Sequence, residues 1–129
     1  MRNILTTALL LLPLTSFGAS LKELELTKSL EQVATRSNVG TPRVINNDIL
    51  DKGFSVNANQ LTNHLAVIPA HAEQMRADPT AMRAQLQKSV CANPGFTRLM
   101  EQGAVLRYRF TELPGETPVL DERFTASDC

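Results

Sequence analysis

Two cysteines and two histidines hold most of the reactive chemistry that this 129-residue chain could perform: Cys91, Cys129, His64 and His71. A cysteine nucleophile needs a thiolate activated by a neighbouring base. A zinc site needs three or four soft ligands at close spacing. Neither pattern assembles. His71-Ala72-Glu73 matches one half of a zinc deaminase signature, but the other half, P-C-x-x-C, is missing, since Cys91 sits in Ser-Val-Cys-Ala-Asn. Asp121 and Glu122 are adjacent acids, but on a strand they point to opposite faces and cannot share a substrate. There is no G-x-S-x-G elbow, H-E-x-x-H helix or phosphate-binding loop. The reading is therefore of a non-enzyme, with no catalytic, cofactor-binding or metal-ligating residue.

The cysteines take their meaning from the first twenty residues, MRNILTTALLLLPLTSFGAS. Arg2 and the free amine give a positive start, Ile4 to Leu14 is an apolar run, and Gly18, Ala19 and Ser20 are small. This is the pattern of a secretory signal peptide, with cleavage expected after Ser20. The run is far short of the roughly 20 apolar residues that span a bilayer, so no membrane span is expected once the leader is removed. No cysteine lies near the cleavage point to carry a lipid. An exported chain meets oxidants, and two cysteines in a small exported domain usually pair. A Cys91–Cys129 disulfide is expected. It would close about 39 residues, worth on the order of 4 kcal/mol in the chain-entropy account, and would tie down the C-terminus.

Composition excludes one partner class. Without Arg2, the chain after residue 20 has 12 basic and 13 acidic residues, a net charge of −1. That offers no basic footprint for nucleic acid. With no Trp and one Tyr there is no stacking platform for bases either. Nor does any small-molecule substrate suggest itself.

The elements that must position these residues follow from periodicity. Residues 24–36 place Leu26, Leu30, Val33 and Ala34 on one helical face, and Ser20 has capping-box spacing to Glu23. SNVGTP at 37–42 breaks the helix. Residues 47–68 read as a hairpin turning near Asn59-Gln60. Leu61, Asn63, Leu65 and Val67 alternate with Thr62, His64 and Ala66, which leaves His64 a surface side chain. Asp78-Pro79 and Asn93-Pro94 are cap-then-proline helix starts. They imply helices near 70–77, over 79–91, and after Pro94 up to a stop at Gly103. Leu106, Tyr108 and Phe110, then Leu120 and Phe124, make a second hairpin across a Pro114-Gly115 type II turn. Pairing Leu106 with Phe124 and Phe110 with Leu120 sets Arg109 opposite Asp121 on the outer face, with an ion pair expected there. That outer face, carrying Arg107, Arg109 and Arg123, is a candidate contact patch, and a solvated face is its simpler reading. The expected fold is α+β: an N-terminal helix, a β-hairpin, a helical segment and a second β-hairpin. The hairpins form a four-stranded antiparallel sheet with helices on one face. Residues 1–20 are the signal peptide and 21–129 a single domain.

Several of these residues carry a resemblance. Val90-Cys91-x-Asn93-Pro94, Arg98-Leu99-x3-Gly103-Ala104, Leu106-Arg107-Tyr108 and the closing Asp128-Cys129 resemble a family of small secreted proteobacterial proteins described as quorum-sensing-regulated virulence factors. The resemblance covers residues 42–129, and the layout is also similar to that of AspS-type pilotins of type II secretion. It implies an exported, periplasmic or secreted protein that binds a protein partner, with a pilotin-like assembly role or an unrecognised enzyme site as alternatives. Pilotins are lipoproteins, and this chain lacks the lipid-bearing cysteine.

Overall fold

The computed structural model describes residues 17–129, with side chains from Leu21 onward. The expected signal peptide and its cleavage point thus lie outside the described side chains. Helix α1 runs Phe17–Ser37. Ser20, which has capping-box spacing to Glu23, lies inside this helix rather than at its start. Leu26, Leu30 and Ala34, spaced four apart, are the buried stripe of α1.

The sheet has five strands, not four: β1 (Arg43–Asn46), β2 (Ile49–Asn57), β3 (Gln60–Val67), β4 (Val105–Glu112) and β5 (Thr117–Phe124), in that spatial order. The unexpected strand is β1. Its four residues are all exposed, so no burial alternation marks it. What holds β1 against β2 is a turn in which Asn46 Oδ1 accepts from the backbone N–H groups of Asp48 and Ile49. The sheet is also not fully antiparallel, because β3 and β4, its centre, pair in parallel. The physical reason is the connection. Parallel neighbours require a crossover, and α2 (Pro69–Ala77), α3 (Pro79–Cys91) and α4 (Pro94–Glu101) provide it, returning the chain to the end where β3 began.

Local signals in the crossover act as their chemistry demands. Asp78 accepts from Ala81 N, and Asn93 accepts from Gly95 N and Phe96 N. Helix α4 ends with Gly103 at φ 105°. Gly103 N bonds Met100 O and Ala104 N bonds Leu99 O, the paired closure that a left-handed glycine allows.

The terminal hairpin has the expected register: Leu106 faces Phe124, Phe110 faces Leu120 and Arg109 faces Asp121. Its connection is not a type II turn, because Gly115 is not in the positive-φ region that type II requires. Apolar residues of β3, β4 and β5 meet the helices on one face. Leu61, Leu106 and Phe124 pack with Leu30, Val90 and Met100, and Leu65 and Phe110 pack with Ala72 and Met75. Phe124, Leu30 and Leu61 are among the fully buried side chains, each worth about 1.5–3 kcal/mol of burial. Among the described residues, no helix packs on the opposite face of the sheet.

A clamp joins α1 to β2. Asn38, just beyond the helix, accepts from Phe54 N at 2.6 Å and donates to Phe54 O at 2.9 Å. It thus takes the place of a strand partner beyond the end of β1. Gly53, at φ 105°, permits the approach, since a Cβ there would lie 2.8 Å from Asn38 Oδ1.

Candidate functional surfaces

Cys91, at the end of α3, is bonded to Cys129 across 38 residues, with Cα atoms 5.4 Å apart. The last residues are brought there by α3 itself. Gln87 Nε2 donates to Asp128 O at 2.6 Å, and Arg83 reaches Asp128 Oδ1 at 3.3 Å. A 3-10 turn, Ala126–Asp128, delivers Cys129. Neither sulfur is a free thiol, and His64 lies on the sheet face away from the helices, so no cysteine–histidine pair assembles.

The open sheet face is arranged in lateral rows fixed by register. One row is Gly53, His64, Arg109 and Asp121; the next is Ser55, Thr62, Arg107 and Arg123. The expected Arg109–Asp121 ion pair does not form, although the two residues face each other. Asp121 turns to the neighbouring row instead, where Arg107 grips it at both carboxylate oxygens, with Nε–Oδ1 at 2.8 Å, and Arg123 stands 3.8 Å away. A forked guanidinium on a diagonal neighbour gives two parallel bonds, which outcompetes the directly opposite side chain. Hydrogen bonding from Arg107 holds the Asp121 carboxyl below its ordinary range.

His64 is on this face, as expected, but it is only half exposed. Its Nε2 lies 2.7 Å from Ser55 Oγ. Burial first, then the charges of Arg109, Arg107 and Lys52, push its pKa below the ordinary 6.5. Lys52, His64, Arg109, Thr111 and Glu116 line a small recess. Sequence periodicity put His64 on the surface but missed the recess, because Lys52 arrives through the irregular register between Asp51 and Gly53. His71 is elsewhere, 3.7 Å from Asp48 at the start of α2. Asp121 and Glu122 do point to opposite faces, since Glu122 meets Arg83 of α3 at 2.5 Å on the helix side.

On the helix side a groove of about 580 Å³ separates α1 from α4. Val33, Phe96 and Leu99 make its apolar part, Arg36 and Arg98 its charged part, and no acidic residue lines it. Among the described residues, both arginines bond only backbone carbonyls of their own helices, Gln32 O and Pro94 O. Near Phe96, in the same cluster as Phe54 and Tyr108, Asn63 Oδ1 is buried with no hydrogen-bond partner among the described residues. A larger hollow, about 830 Å³, borders the first turns of α1, where Lys22 and Glu23 offset each other. Among the described residues no helix is long and apolar enough to cross a membrane, and no three His, Cys, Asp or Glu side chains are grouped to hold a metal ion.

Comparison with known proteins places this geometry among relatives. The family described as “Putative quorum-sensing-regulated virulence factor” matches residues 19–129. A crystal structure of a “putative secreted protein” from Pseudomonas aeruginosa is 55% identical, covers 87% of this chain and 99% of its own, and superposes with a TM-score of 0.82. Two structures share the fold at low identity. The pilotin EpsS from the Vibrio vulnificus type 2 secretion system is 14% identical, with a TM-score of 0.71, covering 85% of this chain and 96% of its own. The type II secretion pilotin AspS from Vibrio cholerae is 16% identical, with a TM-score of 0.66, covering 86% and 98%. No curated protein matches the chain.

Proposed function

The chain belongs to the family described as quorum-sensing-regulated virulence factors, and on that footing we propose that it is an exported, non-enzymatic protein that binds a protein partner in the groove between α1 and α4. The observation that carries this reading is the groove's composition. An apolar floor of Val33, Phe96 and Leu99 is flanked by two arginines with no carboxylate among the lining residues. Such a surface fits an amphipathic segment whose apolar side covers the floor and whose acidic side chains meet Arg36 and Arg98. With a net charge near zero, the whole molecule does not steer a partner from a distance, so recognition rests on this local patch. The secretion-system pilotins that share this fold support a second reading, assembly of a secretion system, resting on shared fold alone.

The test places a photo-crosslinking amino acid at Leu99 in the oxidised chain, produced in its exported form, with a second probe at Lys52 on the other side of the sheet. The expected result is one predominant adduct from Leu99. Unmodified chain competes it away, it maps to a segment bearing both apolar and acidic residues, and Arg36→Glu combined with Arg98→Glu depletes it. Both arginines are exposed, so the double variant keeps the fold. Adduct yield indifferent to that double variant overturns the groove. Turnover in a broad hydrolase screen, abolished by one polar substitution, overturns the non-enzymatic reading.

A further inference from the structure

The open face of the sheet holds a cation cluster that the partner reading does not use. Arg109 lies in the row of His64 and Asp121, yet the carboxylate opposite it is committed to Arg107 and Arg123. Among the described residues the Arg109 guanidinium makes no ion pair and no hydrogen bond. Lys52 bonds Glu116 at 3.2 Å, but Glu116 belongs to the β4–β5 turn and its side chain is 78% exposed. His64 has Nε2 engaged by Ser55, and its Nδ1 has no partner among the described residues. Gly53 stands beside His64 in the same row and contributes no side chain; Asn38 and Thr41 approach the space its Cβ would take.

These groups line a recess of about 50 Å³. A single water needs only about 10–15 Å³ on such a measure, so the space suits a small ion and excludes a metabolite. Its charge is Lys52 and Arg109 against Glu116, one net positive charge with His64 neutral and two with His64 protonated. A guanidinium fork and an ammonium are donor types that recognise oxyanions; Thr111, which also lines the recess, gives its hydroxyl proton to Leu65 O. The groups that face His64 are Ser55 and Lys52 from β2, Arg107 and Arg109 from β4, and Glu116 from the turn. All the charges among them except Glu116 oppose its protonation. A bound anion would cancel that opposition.

We infer that the Lys52–His64–Arg109 recess is a binding site for a small oxyanion, with sulfate-like or phosphate-like chemistry, whose affinity rises as His64 takes up a proton. The inference is independent of the α1–α4 groove, which lies on the other side of the sheet. Sulfate is the probe, because it remains a dianion across pH 5.5–7.5 and so leaves the pH dependence to the protein. The oxidised chain is titrated with sodium sulfate against sodium chloride of equal ionic strength, and the His64 ring resonances are followed by NMR. The expected result is saturable shifts with sulfate, tighter at pH 5.5 than at 7.5, and an upward shift of the His64 titration midpoint when sulfate is present. Arg109→Gln weakens sulfate roughly tenfold or more, the effect of one hydrogen bond to a charged group. Glu116→Gln, at an exposed turn, strengthens it. Sulfate shifts that stay linear and match chloride overturn the inference, as does a Glu116→Gln variant that binds no better than the parent.

Discussion

Arg83→Met isolates an interaction that joins the helix layer, the last strand and the C-terminus. From α3, Arg83 reaches Glu122 Oε2 at 2.5 Å, Arg123 O at 3.1 Å and Asp128 Oδ1 at 3.3 Å, with its guanidinium carbon 4.5 Å from the centroid of the Phe124 ring. Glu122 lies on the helix side of β5, with its side chain 20% exposed, while that of Arg83 is 35% exposed. Removing one partner of a fully buried pair costs about 3–5 kcal/mol; exposed pairs are worth about 0–1. The partial exposure here places the ionic loss near 2 kcal/mol, and the lost contact with the ring adds about 0.5–1. Arg83→Met is therefore expected to destabilise by about 2–3 kcal/mol in urea unfolding of the oxidised chain, followed by circular dichroism. Most of the loss comes from stranding the Glu122 carboxylate, so Arg83→Met combined with Glu122→Gln should recover at least half of it. A single variant costing under about 0.5 kcal/mol, or a double variant as unstable as the sum of the singles, would refute the reasoning.

Gly53→Ala combines a φ of 105° with a Cβ 2.8 Å from Asn38 Oδ1 and is expected to cost at least about 2 kcal/mol, measured as a fall in the urea midpoint; an unchanged midpoint would discount the Asn38 clamp. Cys129→Ser removes a 38-residue cross-link and should cost up to about 4 kcal/mol, with faster proteolysis at the C-terminal end, and mass spectrometry of the parent without reduction should give a chain two hydrogens lighter than the dithiol. The folded pKa of His64 is lowered, so the unfolded chain binds the extra proton first. Stability is therefore present above the ordinary value of 6.5 and is lost as pH falls through it. Asp121, with its folded pKa lowered, holds its contribution above its ordinary 3.8 and loses it in stronger acid. His64→Gln should flatten the stability profile near pH 6 while leaving the acid limb intact, and an unchanged slope near pH 6 would show that His64 does not set it. Asn63→Leu replaces a buried amide oxygen that has no partner among the described residues and is expected to raise stability by about 1–2 kcal/mol; a lower thermal midpoint would mean that the amide is bonded in solution.

Much of this molecule is legible in local chemistry. Helix ends were visible in Asp78-Pro79, Asn93-Pro94 and Gly103, because capping is decided within a few residues of the chain. The terminal hairpin's register was readable because Leu106, Phe110, Leu120 and Phe124 allow one alignment that keeps all four from water, and the positions of Asp121 and Glu122 on opposite faces followed from the pleat. Family membership was visible in the spacing around Cys91 and Gly103. Strand β1 escaped because four exposed residues have no burial pattern to betray them. The parallel pairing of β3 with β4 escaped for a different reason. Periodicity reports which side of a strand is buried, not which strand lies beside it, and that choice was made by the packing of three helices between the hairpins. The same holds for both candidate surfaces. The α1–α4 groove exists because helices some sixty residues apart in sequence settle on one sheet without closing over Val33, Phe96 and Leu99. The anion recess exists because Arg107, one row away, takes the carboxylate that register alone assigned to Arg109. Pairwise alternation is a property of the chain, but competition among side chains for one partner is decided only once the strands lie side by side.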